Sequence, residues 1–406
     1  MEFSRKQRQS LLWVLALQFG TLLILYLVYL NLQDGLILTK DFSVFYSTAK
    51  YVAAPFAGVE ALYDQRFFFD YMAQQAPGAD SLPLRYPPTL LFTIIPLSLF
   101  DDPILAYCFL CAATMLLCSM AAYGLCRHRV ALAFLVFPLI SITVWHGQVT
   151  ALLLLPLAAG LMLLGRHPVA AGLCFALVTV KPQLALLIPF ALLGGGQIRA
   201  FAAMVGGVIA LFLATALLFG PAAWVAFIQT MLHLPQDLES GQNDNWKHMI
   251  TLYAFAKLFD LPQIIALSAQ VAAATISALV VYLVWRLDAP APAAKAAVLV
   301  VGGLLATPYA YGYDLLLLLA PTAVIAREII EGPHRRADRV LVALIWFAPP
   351  FLLLLSSGLA IPYWPILLTG LLFWIVRETY VDQGSCFYHG AAELEKQGAA
   401  VNARLR

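Results

Sequence analysis

The sequence predicts an all-α polytopic membrane protein, on three observations. Of 406 residues, 62% are hydrophobic and only 11% charged, where a soluble domain carries about 25% charge. The apolar residues fall in runs of roughly 12 to 24, the length of a helix that crosses or partly crosses a bilayer. Lysine and arginine gather between alternate runs, the bias that marks cytoplasmic loops. The net charge of +2 gives no case for nucleic-acid binding. The six cysteines sit mostly inside apolar runs, with neither a disulfide framework nor metal-ligand spacing, and read as buried, inert thiols.

Taken in order, Arg5, Lys6 and Arg8 place the N-terminus inside. Leu11 to Asn31 then crosses outward as a retained span, since no small-residue cleavage site follows it. Residues 32–103 form a first external segment, too long for a simple connector. Within it Phe42 to Val52 and Leu62 to Met72 read as amphipathic helices lying at the interface. Pro87 to Phe100 is apolar but short; if it crossed as well as Ile104 to Cys126, then Arg127, His128 and Arg129 would fall outside. It is therefore expected to be re-entrant or juxtamembrane, with Ile104 to Cys126 crossing inward.

The remaining spans alternate. Val130 to Val144 runs out to Trp145–Gln148, and Val149 to Leu164 returns to Arg166 and His167. Val169 to Val180 reaches Lys181-Pro182-Gln183 at the outer end, and Leu184 to Leu193 returns toward Arg199. Ala200 to Phe219 leads to a second external loop, 220–262. Gln263 to Trp285 comes back to Arg286, and the crossing that starts near Lys295 reaches an outer turn at Pro308 to Asp314. Arg327, Arg335, Arg336 and Arg339 form the strongest cytoplasmic cluster, and Val340 to Ser356 and Ile361 to Val376 end the set at Arg377. This makes about twelve spans in one transmembrane domain, 1–377, with a cytoplasmic tail at 378–406.

Polar residues beside an apolar slab cost several kcal/mol if left alone, so those at the outer turns should converge on water, a ligand or one another. Asp41 is either an N-cap, its oxygen accepting from first-turn amides, or a general base for an acceptor hydroxyl in a partly dry cavity. Arg85, ahead of Tyr86-Pro87-Pro88, is either a snorkelling interfacial side chain or an anion holder whose fork suits phosphate oxygens. Lys181 has no interfacial belt around it, which favours an anionic partner. His146 and Gln148 flank Gly147 and can hydrogen-bond sugar hydroxyls or phosphate, or be structural. Trp246, Lys247 and His248 either hold an anionic head group or belong to a solvated loop. Tyr309, Tyr311 and Tyr313 are also compatible with an aromatic belt. Asp64 reads as a turn or cap. No P-loop, dinucleotide fingerprint, zinc motif or Ser-His-Asp set is present, and Asp41-Phe42-Ser43 is not an Asp-x-Asp metal pair.

Asp41 with Tyr46 and Lys50, Leu62-Tyr63-Asp64, Tyr86-Pro87-Pro88, Gly147-Gln148 and Lys181-Pro182 occur in that order. In this the chain resembles glycosyltransferase family 87, polytopic enzymes of the GT-C fold. The resemblance implies a polyprenyl-phosphate sugar donor, with mannose the family's best-known sugar, and transfer to a glycolipid or glycan acceptor at the periplasmic face of a bacterial inner membrane. It implies an Asp in the first external segment as base, mapped onto Asp41, with no cofactor and no divalent metal expected. The donor phosphate would be met by Lys181 and Arg85 with His146 or His248 assisting. Tyr46, Gln148, Gln183, Trp246 and Tyr309 are the further substrate-binding candidates. A single displacement with Asp41 on the acceptor side inverts the anomeric centre. The rival readings are a transporter or flippase of lipid-linked sugars, and a polymerase or ligase of lipid-linked oligosaccharide.

Overall fold

Proline punctuates the apolar runs and makes many of the helices short. Pro103, Pro138, Pro168 and Pro182 each open a helix, at a position where the missing N–H is not needed and φ is already helical. The structure, a computed structural model, describes residues 26, 30, 38, 40–54, 58–128, 134, 137–240, 245–288, 292–331, 342–346 and 363–380. The helices are α1 (Asp41–Ala53), α2 (Gln65–Gln75), α3 (Pro103–Cys126), α4 (Pro138–His146), α5 (Thr150–Leu163), α6 (Pro168–Val178) and α7 (Pro182–Ala185). They continue as α8 (Ile188–Gly194), α9 (Ile198–Phe219), α10 (Pro221–Ser240), α11 (Leu252–Leu258), α12 (Gln263–Arg286), α13 (Pro292–Ala306) and α14 (Leu319–Glu331).

Among the described residues, three helices are long and apolar enough to cross a membrane: α3, α9 and α12. Thr150–Leu163, Pro168–Val178, Pro182–Gly194 and Pro292–Ala306 are shorter apolar stretches of helix, while most of Leu11 to Asn31 and Val340 to Ser356 lies outside the described residues. Small residues let the closest pair approach. A Cβ at Gly172 of α6 would collide with the Ala200 carbonyl of α9, and one at Gly207 would press on the Ala176 methyl. Between helices in lipid such close packing replaces the missing hydrophobic drive. Helix α5 lies between α3 and α6, and α13 between α12 and α14, with α14 returning to α3.

Two expectations about the segments before α3 are corrected. Helix α1 is not an interfacial helix: every residue from Phe42 to Ala49 is buried. Ser43, Ser47 and Thr48 are buried together with Phe42, Phe45 and Tyr46, so both its polar and its apolar faces meet protein. It packs against the Ile95–Leu99 turn, where Lys50 Nζ meets Asp101 Oδ1 at 2.8 Å. Leu62 to Met72 is broken at Asp64, with a 3-10 turn at Val59–Tyr63 before α2. Asp64 caps α2 by accepting from the Phe67 amide at 3.0 Å, so the cap reading of this residue holds. Residues 220–262 contain α10 and α11. Pro88–Leu99, within the stretch expected to be re-entrant or juxtamembrane, consists of three short helical pieces, two of them 3-10, because Pro88 and Pro96 withdraw backbone donors.

One side chain ties α12 to the end of α13 and the turn that follows it. Buried Gln270 donates to the Leu305, Ala306 and Thr307 carbonyls at 2.9, 3.1 and 3.0 Å, and accepts from the Tyr253 amide at 3.1 Å. Gln270→Leu leaves those groups buried without this partner and is expected to cost about 1–3 kcal/mol. A detergent unfolding curve unchanged by that substitution would refute the role.

Candidate active site at the Asp41 end of the bundle

Five separate segments meet at one end of the helices. Asp41 opens α1, Arg85 and Tyr86 precede Pro87, and Gln148 follows α4. Lys181 stands before α7, and Tyr309–Asp314 forms the turn after α13. Helix α3 begins near α1, where Tyr46 and Lys50 hold Asp101, and runs 24 residues away from it. That length is about 36 Å.

Lys40, in extended conformation, is the N-cap of α1, and Asp41 is the first helical residue. The carboxylate is therefore not the cap that one reading of the sequence allowed. Asp41 keeps some accessible surface yet lies deep in the protein mass, the situation of a residue lining a cleft. Arg85, Tyr86, His146, Tyr309 and Tyr311 are likewise half-buried. Burial raises the Asp41 carboxyl above the ordinary carboxylate range. Gln148, Lys181 and Arg85 pull it back, and Asp314 pushes it up. Burial raises the Tyr86 phenol well above its usual range, with Asp41 and Asp314 adding to it. Lys40, over the Trp145 ring at 3.9 Å, is lowered by burial to about 8 against the pull of Asp80.

Lys181, 2% exposed, has the anionic partner expected of it, and that partner is protein. Its Nζ lies 2.6 Å from Asp314 Oδ1. The same oxygen accepts from Thr150 Oγ1 at 3.1 Å, and Oδ2 accepts from the Tyr311 amide at 3.1 Å. The ammonium also faces the Tyr313 and Tyr86 rings, 4.7 and 5.5 Å from their centroids. Tyr86 donates to Gln148 Oε1 at 3.1 Å. Gln148 Nε2 is buried without a hydrogen-bond partner, near enough to Asp41 to weigh on its charge but beyond a full bond. Arg85 reaches the Tyr309 hydroxyl at 3.3 Å.

The other candidates divide. His146 sits on the rim, 5.4 Å from the Tyr313 ring. Burial, with Lys40 and His248 nearby, lowers its imidazole to about 3. His248 is exposed beside it. Trp246 is buried one layer behind the cleft, in a cluster with Met249 and Tyr253 against which Tyr309 and Tyr311 pack. Tyr46 is not at the site: its hydroxyl donates to the Phe100 and Asp101 carbonyls at 3.2 and 2.7 Å, because five residues after Asp41 a helical side chain points elsewhere. Gln183, two residues past Lys181, is half-buried.

Asp314, Tyr86, Tyr313 and Thr150 belong to the site without having been assigned a role in it. The signal for Asp314 was available: a lone carboxylate at the head of Leu315–Leu318 needs a counterion, as Lys181 does. Among the described residues no three His, Cys, Asp or Glu side chains are grouped as metal ligands.

No curated protein and no solved structure matches the chain. A family model for glycosyltransferase family 87 matches residues 84–310, more than half of the 406 residues. Arg85, Gln148, Lys181 and Tyr309 fall inside the match; Asp314 lies four residues past its end, and Asp41 lies 43 residues before its start. With that match, apolar helices throughout and a cluster of charged residues at one end, the chain belongs to glycosyltransferase family 87 and is a membrane glycosyltransferase.

Proposed function

We propose that the protein transfers a hexose, mannose being the first candidate, from a polyprenyl-phosphate sugar to a glycolipid or glycan acceptor at the periplasmic face of the inner membrane. The observation that carries this reading is the deeply set but still partly accessible Asp41 carboxylate, close enough to Lys181 and Arg85 to feel their charge. Asp41 removes the acceptor hydroxyl proton as that oxygen bonds to the anomeric carbon. The bond from that carbon to the phosphate oxygen breaks on the opposite face, and the anomeric centre inverts. Arg85 and Lys181 receive the charge that grows on the departing phosphate. Lys181 does so by sharing its ammonium between Asp314 and the phosphate. Tyr86 holds Gln148 in place, and the Gln148 amide nitrogen supplies a donor for a sugar hydroxyl or the nucleophile's oxygen. No cofactor and no metal enter the scheme.

The test supplies purified protein in lipid with a radiolabelled polyprenyl-phosphate hexose, or with the corresponding nucleotide sugar, together with a membrane-lipid extract. Label should move to an acceptor from the lipid-linked donor and not from the nucleotide sugar. Use of the nucleotide sugar would sink the donor assignment. Movement of the lipid across the bilayer without transfer would favour a flippase.

A further inference from the structure

We propose a second binding site, for the phosphate head group of an anionic membrane phospholipid, at the end of the bundle opposite Asp41. A cavity of about 430 Å³ lies there between α3, α5, α12, α13 and α14, within the size range of small-molecule pockets. Its placement follows from the chain. Arg127 ends α3, the helix whose start holds the Asp41 end, and Lys295 lies in the first turn of α13, the helix that leads back to Tyr309.

Three cations from three helices line the cavity: Arg127, Lys295 and Arg327. The Arg327 guanidinium is tied to Glu331 at 2.9 Å, and Glu328 is taken up by the Ala293 amide at 3.0 Å. Among the described residues Arg127 and Lys295 form no ion pair. Arg127 also holds a left-handed backbone, φ 53°, a conformation uncommon for a residue other than Gly, Asn or Asp. Charge bias alone explains basic residues in cytoplasmic loops. It does not explain a pocket that half-buried Lys295 and Arg327 and exposed Arg127 line together with apolar side chains. Trp285 is fixed in the wall by its indole N–H donating to the Lys295 carbonyl at 3.0 Å. Leu125, Leu161 and Met162 complete an apolar lining, and Met162 reaches the outer surface at 38% exposure. A basic pocket between spanning helices with one apolar flank has the chemistry of a phospholipid site. The arginine fork and ammonium meet the phosphate, and the acyl chain leaves past Met162.

The test uses the full chain, purified in detergent and stripped of lipid, with phosphatidylglycerol as the probe. Phosphatidylcholine of the same chains and inorganic phosphate are the comparisons. Phosphatidylglycerol should raise the unfolding temperature and remain bound in native mass spectra, and neither comparison should do so. The Arg127→Gln, Lys295→Gln double variant should bind it about tenfold more weakly or worse. Gly165→Trp should do the same with every charge kept, since a Cβ there meets nothing within 4 Å and the indole would fill the cavity. The Arg127→Lys, Lys295→Arg variant should retain the lipid, which separates loss of the site from loss of the fold. An equal shift from phosphatidylcholine, full reproduction by phosphate, or unchanged binding in both site variants overturns the proposal.

Discussion

Asp41→Asn is expected to lower the rate of sugar transfer by about 10²- to 10⁴-fold, the usual contribution of a positioned general base. Asn keeps the shape and the hydrogen-bonding reach of the carboxylate but cannot accept the acceptor's proton. The wild-type pH profile should carry the same signature. The base must be ionised, and burial raises the Asp41 carboxyl. Activity should therefore climb with pH through a limb lying above the usual Asp value of about 3.9. Stability should move in the opposite direction. A carboxyl whose folded pKa is raised above its unfolded value disfavours the native state once it ionises, so the native state loses stability as pH rises through the raised pKa. Asp41→Asn removes that penalty: the variant should unfold at a higher temperature than wild type at pH 8, and the gain should fade as both are taken below the unfolded value. A dead enzyme that is more stable at neutral pH is the mark of a carboxylate kept for chemistry. Full activity in the variant, or a stability loss at pH 8, would remove Asp41 from the role of base.

The sequence carried the site's contributors more clearly than its connections. Asp41, Arg85, Gln148, Lys181 and Tyr309 were legible because each is polar beside an apolar run, where solvation physics makes an isolated polar group conspicuous. What those groups touch was not legible, because pairing across 133 residues, as between Lys181 and Asp314, leaves no periodicity. The interfacial reading of α1 failed for a related reason. Phe42, Phe45, Tyr46 and Ala49 recur at helical spacing, but only the segment packed over them decides whether they meet lipid or protein. Tyr46 was misplaced with them: the likeness to the family put it beside Asp41 in sequence, while the helical turn carries its hydroxyl to Asp101. Helix lengths were harder still, since proline placement and not apolar length stops α6 or α7.

Lys181→Met is expected to cost about 3–5 kcal/mol of stability, the consequence of leaving a buried carboxylate without its partner. Asp314 is 1% exposed, and after the substitution its Oδ1 keeps only Thr150, with Oδ2 still on the Tyr311 amide. Asp314→Asn should be milder, because the amide oxygen can still accept from Lys181 and the ammonium has a second carboxylate, Asp41, close enough to affect. That second variant has a diagnostic pH effect. Removing the Asp314 charge removes a group that raises Asp41 and leaves Lys181 to one carboxylate instead of two, so the acid limb of the rate should move to lower pH. The double variant, Lys181→Met with Asp314→Asn, buries no charge at the pair. It should be more stable than Lys181→Met alone, yet it should transfer little sugar, because the departing phosphate has lost its buried cation. Detergent unfolding of the four proteins gives the coupling energy directly. If the double variant's loss equals the sum of the single losses, the two groups do not act as a pair. If it transfers sugar at the wild-type rate, Lys181 serves the fold and Arg85 alone meets the phosphate.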